Sequence, residues 1–227
     1  MEETGRRDFS HGWLLLSWVV YFALYALTER CIPEARCTPM HTRLDDVIPF
    51  REIFVIPYVV WFFLIAFSLG YFLFRDADSF RRLQTYFMIT QVIAIAFFIL
   101  LPSRQDLRPA VFPRDNIFTR LVGLIYRMDT STGVFPSLHV AFSLGLASVW
   151  CREKIHPLWK GFLLSWVVLI CLATMFIKQH SAADVVCALP VCLTAEVIVW
   201  RDRIFSPVPY PPGGLPSRRN TGYNKNN

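Results

Sequence analysis

Long apolar runs, separated by short charged segments, constrain the fold of this chain more than any other feature. Their positions are 13–28, 53–74, 85–101, 134–150, 161–177 and 184–200. A helix needs about 20 apolar residues to cross the hydrocarbon core of a bilayer, and most of these runs approach that length. With 54% hydrophobic residues and a mean hydropathy of +0.40, the chain is also more apolar than a soluble domain. The pattern predicts an all-α polytopic membrane protein, with six transmembrane helices in one bundle.

The apolar runs and their connecting segments form one predicted domain, residues 1–205. The remaining residues, 206–227, are rich in Pro, Gly and Asn, a composition that predicts a disordered polar tail without a chemical role. The first apolar run follows a leader of mixed charge, and no small-residue cleavage site follows it. We therefore expect an uncleaved helix rather than a signal peptide.

Lysine and arginine residues in the connecting segments predict the orientation, because they accumulate on the cytoplasmic side of a membrane. One side of the six-span arrangement holds Arg6, Arg7, Arg75, Arg81, Arg82, Arg152, Lys154, Lys160, Arg201 and Arg203. The opposite side carries its arginines within one long segment, at Arg104, Arg108, Arg114, Arg120 and Arg127. We expect both termini to be cytoplasmic and the opposite side to face outward from the cell membrane.

The net charge of +6 is distributed over many connecting segments and is not gathered in one of them. Membrane topology explains this distribution better than nucleic-acid binding does. The bilayer is therefore an expected partner, and no nucleic acid is expected.

The segment "VFPSLHVAFS" places an ionisable residue, His139, at the start of an apolar run. Proline is favoured at the first position of a helix, so Pro136 predicts a helix that begins there. The backbone N–H groups of Ser137 and Leu138 would then lack partners within the helix. Such a helix terminus attracts anions, phosphate above all.

A second segment, "FIKQHSAADV", carries His180 and Asp184 at a spacing that puts both on one helix face. A carboxylate that binds one imidazole nitrogen leaves the other free to act as a nucleophile or base. With six spans, this segment and His139 reach the same outer side of the membrane.

Three cations are candidates for phosphate binding at that side. Arg104 and Arg108 follow the third apolar run and precede the first histidine, and Lys178 lies beside the second histidine. Arginine binds phosphate oxygens through forked donors. The competing interpretations are ordinary interfacial side chains and a bis-histidine haem or metal site, and the latter lacks an additional carboxylate or thiolate cluster.

Two of the six cysteines, Cys31 and Cys37, lie in the first outward segment "CIPEARC". They are either unpaired thiols or a disulfide that closes a small loop, since the outward side is the more oxidising one.

These motifs resemble those of the type 2 phosphatidic acid phosphatase superfamily, in the branch that contains inositol phosphorylceramide synthases. That family combines K-x6-R-P, P-S-G-H and S-R-x5-H-x3-D motifs. Here the second motif reads "PSLH", the third keeps His180 and Asp184, and the first keeps Arg108 and Pro109.

The resemblance covers the motif core at 101–190 and extends towards Asp45. The lysine of the first motif is replaced by Leu101, and the arginine of the third motif is replaced by Thr174. Arg104 and Lys178 are the candidate substitutes for these two missing cations.

The resemblance implies a mechanism without cofactor or metal. His180, oriented by Asp184, attacks phosphorus, and His139 protonates the leaving oxygen. Arg108 and the two candidate substitutes hold the phosphate and offset charge in the transition state.

The expected function is hydrolysis of a lipid phosphate at the outer membrane face, on a substrate that resembles phosphatidic acid, polyprenyl phosphate or phosphatidylglycerol phosphate. One alternative is a phosphotransferase that passes a phosphorylated headgroup to an alcohol. An alternative of another class is a catalytically inactive membrane protein that binds lipid headgroups.

Overall fold

The computed structural model describes residues 10–204, and this part of the chain is nearly all-α, as the sequence predicts. Its helices are α1 (Leu16–Cys31), α2 (Arg43–Val47), α3 (Val55–Arg75), α4 (Ala77–Leu100), α5 (Ile117–Met128), α6 (Leu138–Arg152), α7 (Pro157–Phe176) and α8 (Ala182–Ile204). Single 3-10 turns occur at Ser10–Leu15, Glu34–Arg36 and Glu52–Phe54, and two short strands are β1 (Thr38–Pro39) and β2 (Ser103–Arg104). The predicted disordered tail at 206–227 lies outside the described residues.

Five helical segments within residues 10–204 are long and apolar enough to cross a membrane. They are Ser10–Cys31, Glu52–Arg75, Ala77–Leu100, Pro157–Phe176 and Ala182–Asp202. The remaining predicted run, 134–150, corresponds to α6, an apolar helix of 15 residues that is shorter than the others. The chain is therefore an integral membrane protein by composition, with one apolar helix below the usual spanning length.

The start of α4 shows why apolar runs place helix ends poorly. The run begins at residue 85, whereas α4 begins at Ala77. Asp76 caps the helix, and its carboxylate accepts hydrogen bonds from the N–H groups of Asp78 and Ser79 at 3.0 and 3.2 Å. The polar first turns are helical because of this cap.

The short helix α6 is the central element of the fold. It packs against α3, α4, α7 and α8, and most of its side chains are buried. Trp150 near its end donates to Ser68 Oγ of α3 at 2.9 Å, and Ser148 donates to Glu196 of α8 at 2.6 Å. The apolar side chains exposed on the peripheral helices, such as Phe63, instead point away from the protein, as expected for a lipid-facing surface.

The ends of four helices meet at one side of the molecule, which we call the basic face. Ser79 at the start of α4 donates to Glu153 after α6 at 2.6 Å. Arg82 of α4 pairs with Asp202 of α8 at 2.9 Å. His11, before α1, lies 3.0 Å from the carbonyl of Leu73 in α3. These contacts join the segments whose lysines and arginines predict a cytoplasmic location.

The connecting segments at the other side, the histidine face, are held together by backbone hydrogen bonds. Strands β1 and β2 pair in parallel, with Thr38 opposite Ser103. Ser103 O accepts from Gly133 N–H at 2.9 Å, and Arg104 forms an antiparallel bridge with Thr132. Gly133 has a φ of +62°, which glycine adopts without strain. The segment that leads into α6 is thereby fixed against β2.

The disulfide considered between Cys31 and Cys37 is absent, because both residues are free thiols. Cys31 is exposed at the end of α1, whereas Cys37 is buried beneath the 3-10 turn and its Sγ contacts Pro33 O at 3.8 Å. Burial raises the pKa of the Cys37 thiol. The turn between the two residues directs one thiol outward and the other inward.

Close packing of α6 against α4 leads to a first prediction. A Cβ added at Gly145 would lie 2.6 Å from Cδ1 of the buried Tyr86 ring. Overpacking of this kind costs about 1–3 kcal/mol, so Gly145→Ala should lower the free energy of unfolding by that amount. Denaturation of the purified protein in detergent micelles, followed by circular dichroism, measures the change.

Gly70→Ala in α3 is the matched control, because no atom lies within 4 Å of its added Cβ. Alanine also has the higher helix propensity, by about 1 kcal/mol, so this variant should equal or exceed the wild type in stability. A Gly145→Ala protein as stable as Gly70→Ala would contradict the packing described here.

Candidate active site

Two histidines and an aspartate that are distant along the chain meet at the histidine face. His139 Nδ1 lies 3.2 Å from His180 Nε2, and His180 Nδ1 lies 3.3 Å from Asp184 Oδ2. An ionised carboxylate only accepts hydrogen bonds, so the proton of His180 is on Nδ1 and the lone pair of Nε2 faces His139. The structure thus brings together the three predicted catalytic residues, in an arrangement that suits a nucleophilic Nε2.

Asp184 connects the two histidine segments through both its side chain and its backbone. Its Oδ2 also accepts from Ser181 N–H at 2.9 Å, and its carbonyl accepts from Ser137 N–H at 3.1 Å. Ser137 is the N-cap of α6, whose first turn carries His139. The fully buried Asp184 therefore fixes the orientation of one histidine and the position of the helix that carries the other.

The start of α6 differs in part from the predicted anion site, because one of its two predicted N–H donors is already bound. The helix begins at Leu138, with Ser137 as its cap, and does not begin at Pro136. Ser137 is fully buried and its N–H is already bound to Asp184, so this group is not available to a phosphate. Leu138 occupies the first helical position and lines the cavity described below.

Two aromatic side chains of α3 enclose His139. The ring of Tyr58 is stacked on the imidazole with centroids 4.7 Å apart, and the Trp61 ring lies at 4.3 Å. Both aromatic residues are buried. Their spacing in the sequence places them on one face of a helix, a signal that sequence reasoning left unused. The contacts restrict the ring orientation of His139.

Arg108 is bound within the protein and does not line the cavity described below. Its five N–H donors bind the carbonyls of Tyr126, Asp129 and Thr130 and, twice, Gln179 Oε1, at 2.7–3.2 Å. The guanidinium also lies 4.6 Å from the centre of the Tyr126 ring. Arg108 acts here as a clamp on the loop after α5 and on Gln179, the residue before His180, and its phosphate-binding role stays a prediction.

Lys178 and Arg104 likewise bind protein groups in this structure, and their assignment as phosphate ligands stays a prediction. Lys178 Nζ donates to the carbonyls of Asp45 and Ile48 at 2.9 and 2.6 Å. Burial lowers the pKa of Lys178, an effect that Asp45 and Asp46 oppose. Arg104 pairs with Asp106 at 3.3 Å in the segment around β2.

Asp45 holds the start of α8 in place, a role that the sequence did not predict. Its carboxylate accepts from Ser181 Oγ and Ala182 N–H, both at 2.8 Å, and so caps α8 from a different segment. Burial acts to raise the pKa of Asp45, but these hydrogen bonds, together with two from Thr42, hold it below its usual value. The capping-box spacing of Thr42 and Asp45 was a usable signal for α2, though not for this long-range contact.

A cavity of about 710 Å³ opens in front of the two histidines. Its polar end contains His139, His180, Gln179, Asp129, Thr130 and Thr132. Its walls are mostly aromatic and come from α1, α3, α4 and α6: Trp18, Tyr21, Phe22, Tyr25, Tyr58, Trp61, Phe62, Phe98 and Phe142. No lysine or arginine among residues 10–204 lines it. The cavity therefore has room for a lipid headgroup and part of its chains, but little positive charge.

Asp129 is the carboxylate that lines this cavity, at the end of α5. Its Oδ2 accepts from Gln179 Nε2 at 3.2 Å, so it is linked to the residue before His180. Burial raises the pKa of Asp129, whereas the charges of Arg108 and His180 act to lower it. The sequence placed this residue in the outward loop without assigning it a role.

No protein-family model, curated protein or solved structure matches this chain in the comparisons. Within residues 10–204, no group of three or more His, Cys, Asp or Glu side chains is arranged to hold a metal ion.

Removal of the Asp45 carboxylate should destabilise the start of α8. Asp45→Ala leaves the buried Ser181 hydroxyl and Ala182 N–H without their acceptor, a loss of about 1–3 kcal/mol for each unsatisfied group. We expect a lower denaturation midpoint in detergent micelles and faster amide hydrogen exchange at Ala182.

Asp46→Ala provides the neighbouring control, since the Asp46 side chain is 63% exposed and pairs with the exposed His41. Its effect should be within about 0.5 kcal/mol of zero. Equal effects of the two substitutions would refute the capping role of Asp45.

Proposed function

We propose that this chain is a membrane-embedded enzyme that removes a phosphate group from a lipid through a phosphohistidine on His180. The observation that carries the proposal is the hydrogen-bonded series from His139 through His180 to Asp184 at the polar end of the cavity. Hydrolysis of a lipid phosphate of the phosphatidic acid or polyprenyl type is the simplest reaction for such a site. The motif resemblance to the type 2 phosphatidic acid phosphatases points to the same chemistry.

In the proposed reaction, the phosphate group of the lipid enters between Nε2 of His180 and the imidazole of His139. Nε2 then attacks the phosphorus atom. The imidazolium that forms is stabilised by Asp184 at Nδ1. The leaving oxygen receives the proton of His139, which then accepts a proton from the incoming water or alcohol. The second attack releases the phosphate group and restores His180, so the protons balance over the cycle.

Phosphotransfer to an alcohol is the second candidate, and the lack of cations along the cavity favours it. A phosphate monoester carries about 1.5–2 negative charges at pH 7, because its second pKa is about 6. A diester carries a single charge and needs less compensation from the protein. In the described part of the chain, the three predicted cations are bound to other groups, so a diester headgroup suits this site better.

A catalytically inactive protein that binds lipid headgroups is the third candidate. It would need the cavity but not the ordered pair of imidazoles. The link between Asp184 and Ser137 N–H, which aligns both histidine segments, supports a catalytic role over simple binding.

We further propose that α6 also crosses the membrane and that six helices form one bundle. Its first turn belongs to the histidine face and its last turn contacts the basic face, as do the ends of the longer helices. An even number of spans puts both ends of the chain on the side of the basic face, the cytoplasm under the positive-inside rule. The candidate active site then faces outward from the cell membrane.

Reporter fusions test this topology. Fusions after Arg82 and after Arg203 should both report a cytoplasmic location, and a fusion after Arg114 should report the outside. Opposite locations for the first two would exclude six spans.

Substitution of the two histidines should separate their roles. His180→Ala removes the nucleophile and should abolish turnover of every phosphate ester. His139→Ala removes the acid and should slow ordinary lipid esters by about 10²–10⁴-fold, while nitrophenyl esters, whose leaving group needs no proton, are largely spared. Asp184→Asn keeps the nucleophile but loses control of its tautomer, so its activity should fall between these limits. Released phosphate and transferred headgroup are measured on purified protein.

Rapid quenching with ³²P-labelled substrate should also trap an acid-labile phosphohistidine on His180. His41→Ala is the control, since His41 is exposed at the same face and lies outside the cavity. Label on His139, or full activity of His180→Ala, would refute the assignment of roles.

A further inference from the structure

Lys178 has a backbone conformation that is rare for lysine, with a φ of +57° just after the end of α7. Its N–H donates to Met175 O at 3.0 Å, and the N–H of Gln179 donates to Thr174 O at 2.8 Å. These two hydrogen bonds define a helix-ending turn in which glycine is the usual residue at the left-handed position, because glycine has no Cβ. A lysine at this position is strained, so other contacts must offset the strain.

The side chain of Lys178 makes such contacts with the end of α2. Its Nζ donates to Asp45 O at 2.9 Å and to Ile48 O at 2.6 Å. The residue four positions after Asp45 is Pro49, which has no N–H, so the Asp45 carbonyl lacks the donor that a continuing helix would supply. Lys178 provides that donor from a distant segment. The residue is 9% exposed and does not line the cavity.

The same segment of the chain also binds the residues that follow His180. The Asp45 carboxylate accepts from Ser181 Oγ and from Ala182 N–H, both at 2.8 Å. The segment therefore holds the turn on both sides of His180, at Lys178 before it and at Ser181 after it. Between these attachments, the N–H of His180 donates to the last turn of α7 at 3.1 Å. The backbone that carries the imidazole is thus fixed along its whole length.

We propose that Lys178 is a positioning residue for His180. By binding the end of α2, its side chain holds the left-handed turn that directs Nε2 of His180 towards Nδ1 of His139, 3.2 Å away. The inference rests on the proposed function for the role of His180 as the nucleophile. A displacement of about 1 Å in a reacting group costs turnover about 10²-fold, so the proposed reaction requires a rigid turn. Lys178 acts through the backbone and does not contact the phosphate.

Two substitutions of Lys178 test this role in turnover. Lys178→Met keeps the length of the side chain and removes the amine, whereas Lys178→Gly removes the amine and suits the left-handed turn. Both variants should show a kcat about 10–100-fold below wild type and a KM within about twofold, because the nucleophile is misdirected while the cavity is unchanged. Turnover of a nitrophenyl phosphate ester is measured well below the denaturation midpoint of each variant, so that unfolded protein does not contribute.

A spectroscopic measurement reports the position of His180 without turnover. A coupling between ¹⁵N nuclei across the hydrogen bond from His139 to His180 exists only while the two imidazoles remain in line. The chain has five histidines, so the spectrum of ¹⁵N-histidine-labelled protein in micelles is sparse, and His139→Asn and His180→Asn assign the two signals. We expect the coupling in the wild type and its loss in both Lys178 variants.

Lys160→Met is the matched control. The Nζ of Lys160 also donates to a backbone carbonyl, that of Cys151 at 2.7 Å, but this contact lies at the basic face. The variant therefore loses the same kind of hydrogen bond far from the histidines. Its kcat and the coupling between the imidazoles should stay within about twofold of the wild type.

The outcomes separate this inference from the proposed function. Coupling that persists in both Lys178 variants, or that is absent from the wild type, would overturn the inference. An unchanged kcat, with or without a rise in KM, would also overturn it, since a rise in KM alone is expected of a residue that binds substrate. If the wild type has no turnover but the coupling depends on Lys178, the inference holds and only the proposed catalysis fails.

Discussion

The architecture of the site depends on one buried residue, Asp184. Its carboxylate binds His180 and the N–H of Ser181, while its carbonyl accepts from the N–H of Ser137, the N-cap residue of α6. A buried carboxylate needs donors to offset its desolvation, and here His180 and Ser181 supply them just before α8. The backbone carbonyl of the same residue accepts from Ser137 N–H and so joins the start of α8 to the start of α6. The precision of the histidine pair is a consequence of this polar contact in an otherwise apolar protein.

The all-α class and the proximity of the histidine segments could be predicted from the sequence. The apolar runs dictate helices, and the order of the runs brings residues 139 and 180 to one side. The contact of His180 with Asp184 is local, as their spacing predicts, but His180 lies two residues before α8 and not on the helix face that the spacing suggests. The ends of the apolar runs do not give the helix ends where a capping residue extends a helix into polar sequence, as Asp76 does for α4. The amphipathic helix α5 was missed altogether, although Asn116 provides an N-cap for it.

The partners of long side chains could not be predicted from the sequence. Proximity along the chain predicts that arginine and lysine residues near a proposed phosphate site are phosphate ligands. In the structure, Arg108 binds backbone carbonyls just after α5, and Lys178 binds backbone carbonyls at the end of α2. The cap that Asp45 supplies to α8 could not be predicted either, because it joins residues 136 positions or more apart. Such contacts depend on how the loops fold over the helix ends, and no short motif encodes them.

The length of α6 has a consequence for the surrounding lipid. Fifteen helical residues extend ~22 Å, at 1.5 Å for each residue, whereas the hydrocarbon core of a bilayer is about 30 Å thick. On the proposed topology, the mismatch leaves His139 recessed below the plane of the surrounding headgroups, at the level of the upper acyl chains. A lipid must then sink, or the leaflet must thin locally, before its phosphorus reaches the imidazoles. The depth of the reaction plane is thus determined by the shortest of the proposed spans, and access depends on bilayer thickness as well as on headgroup chemistry.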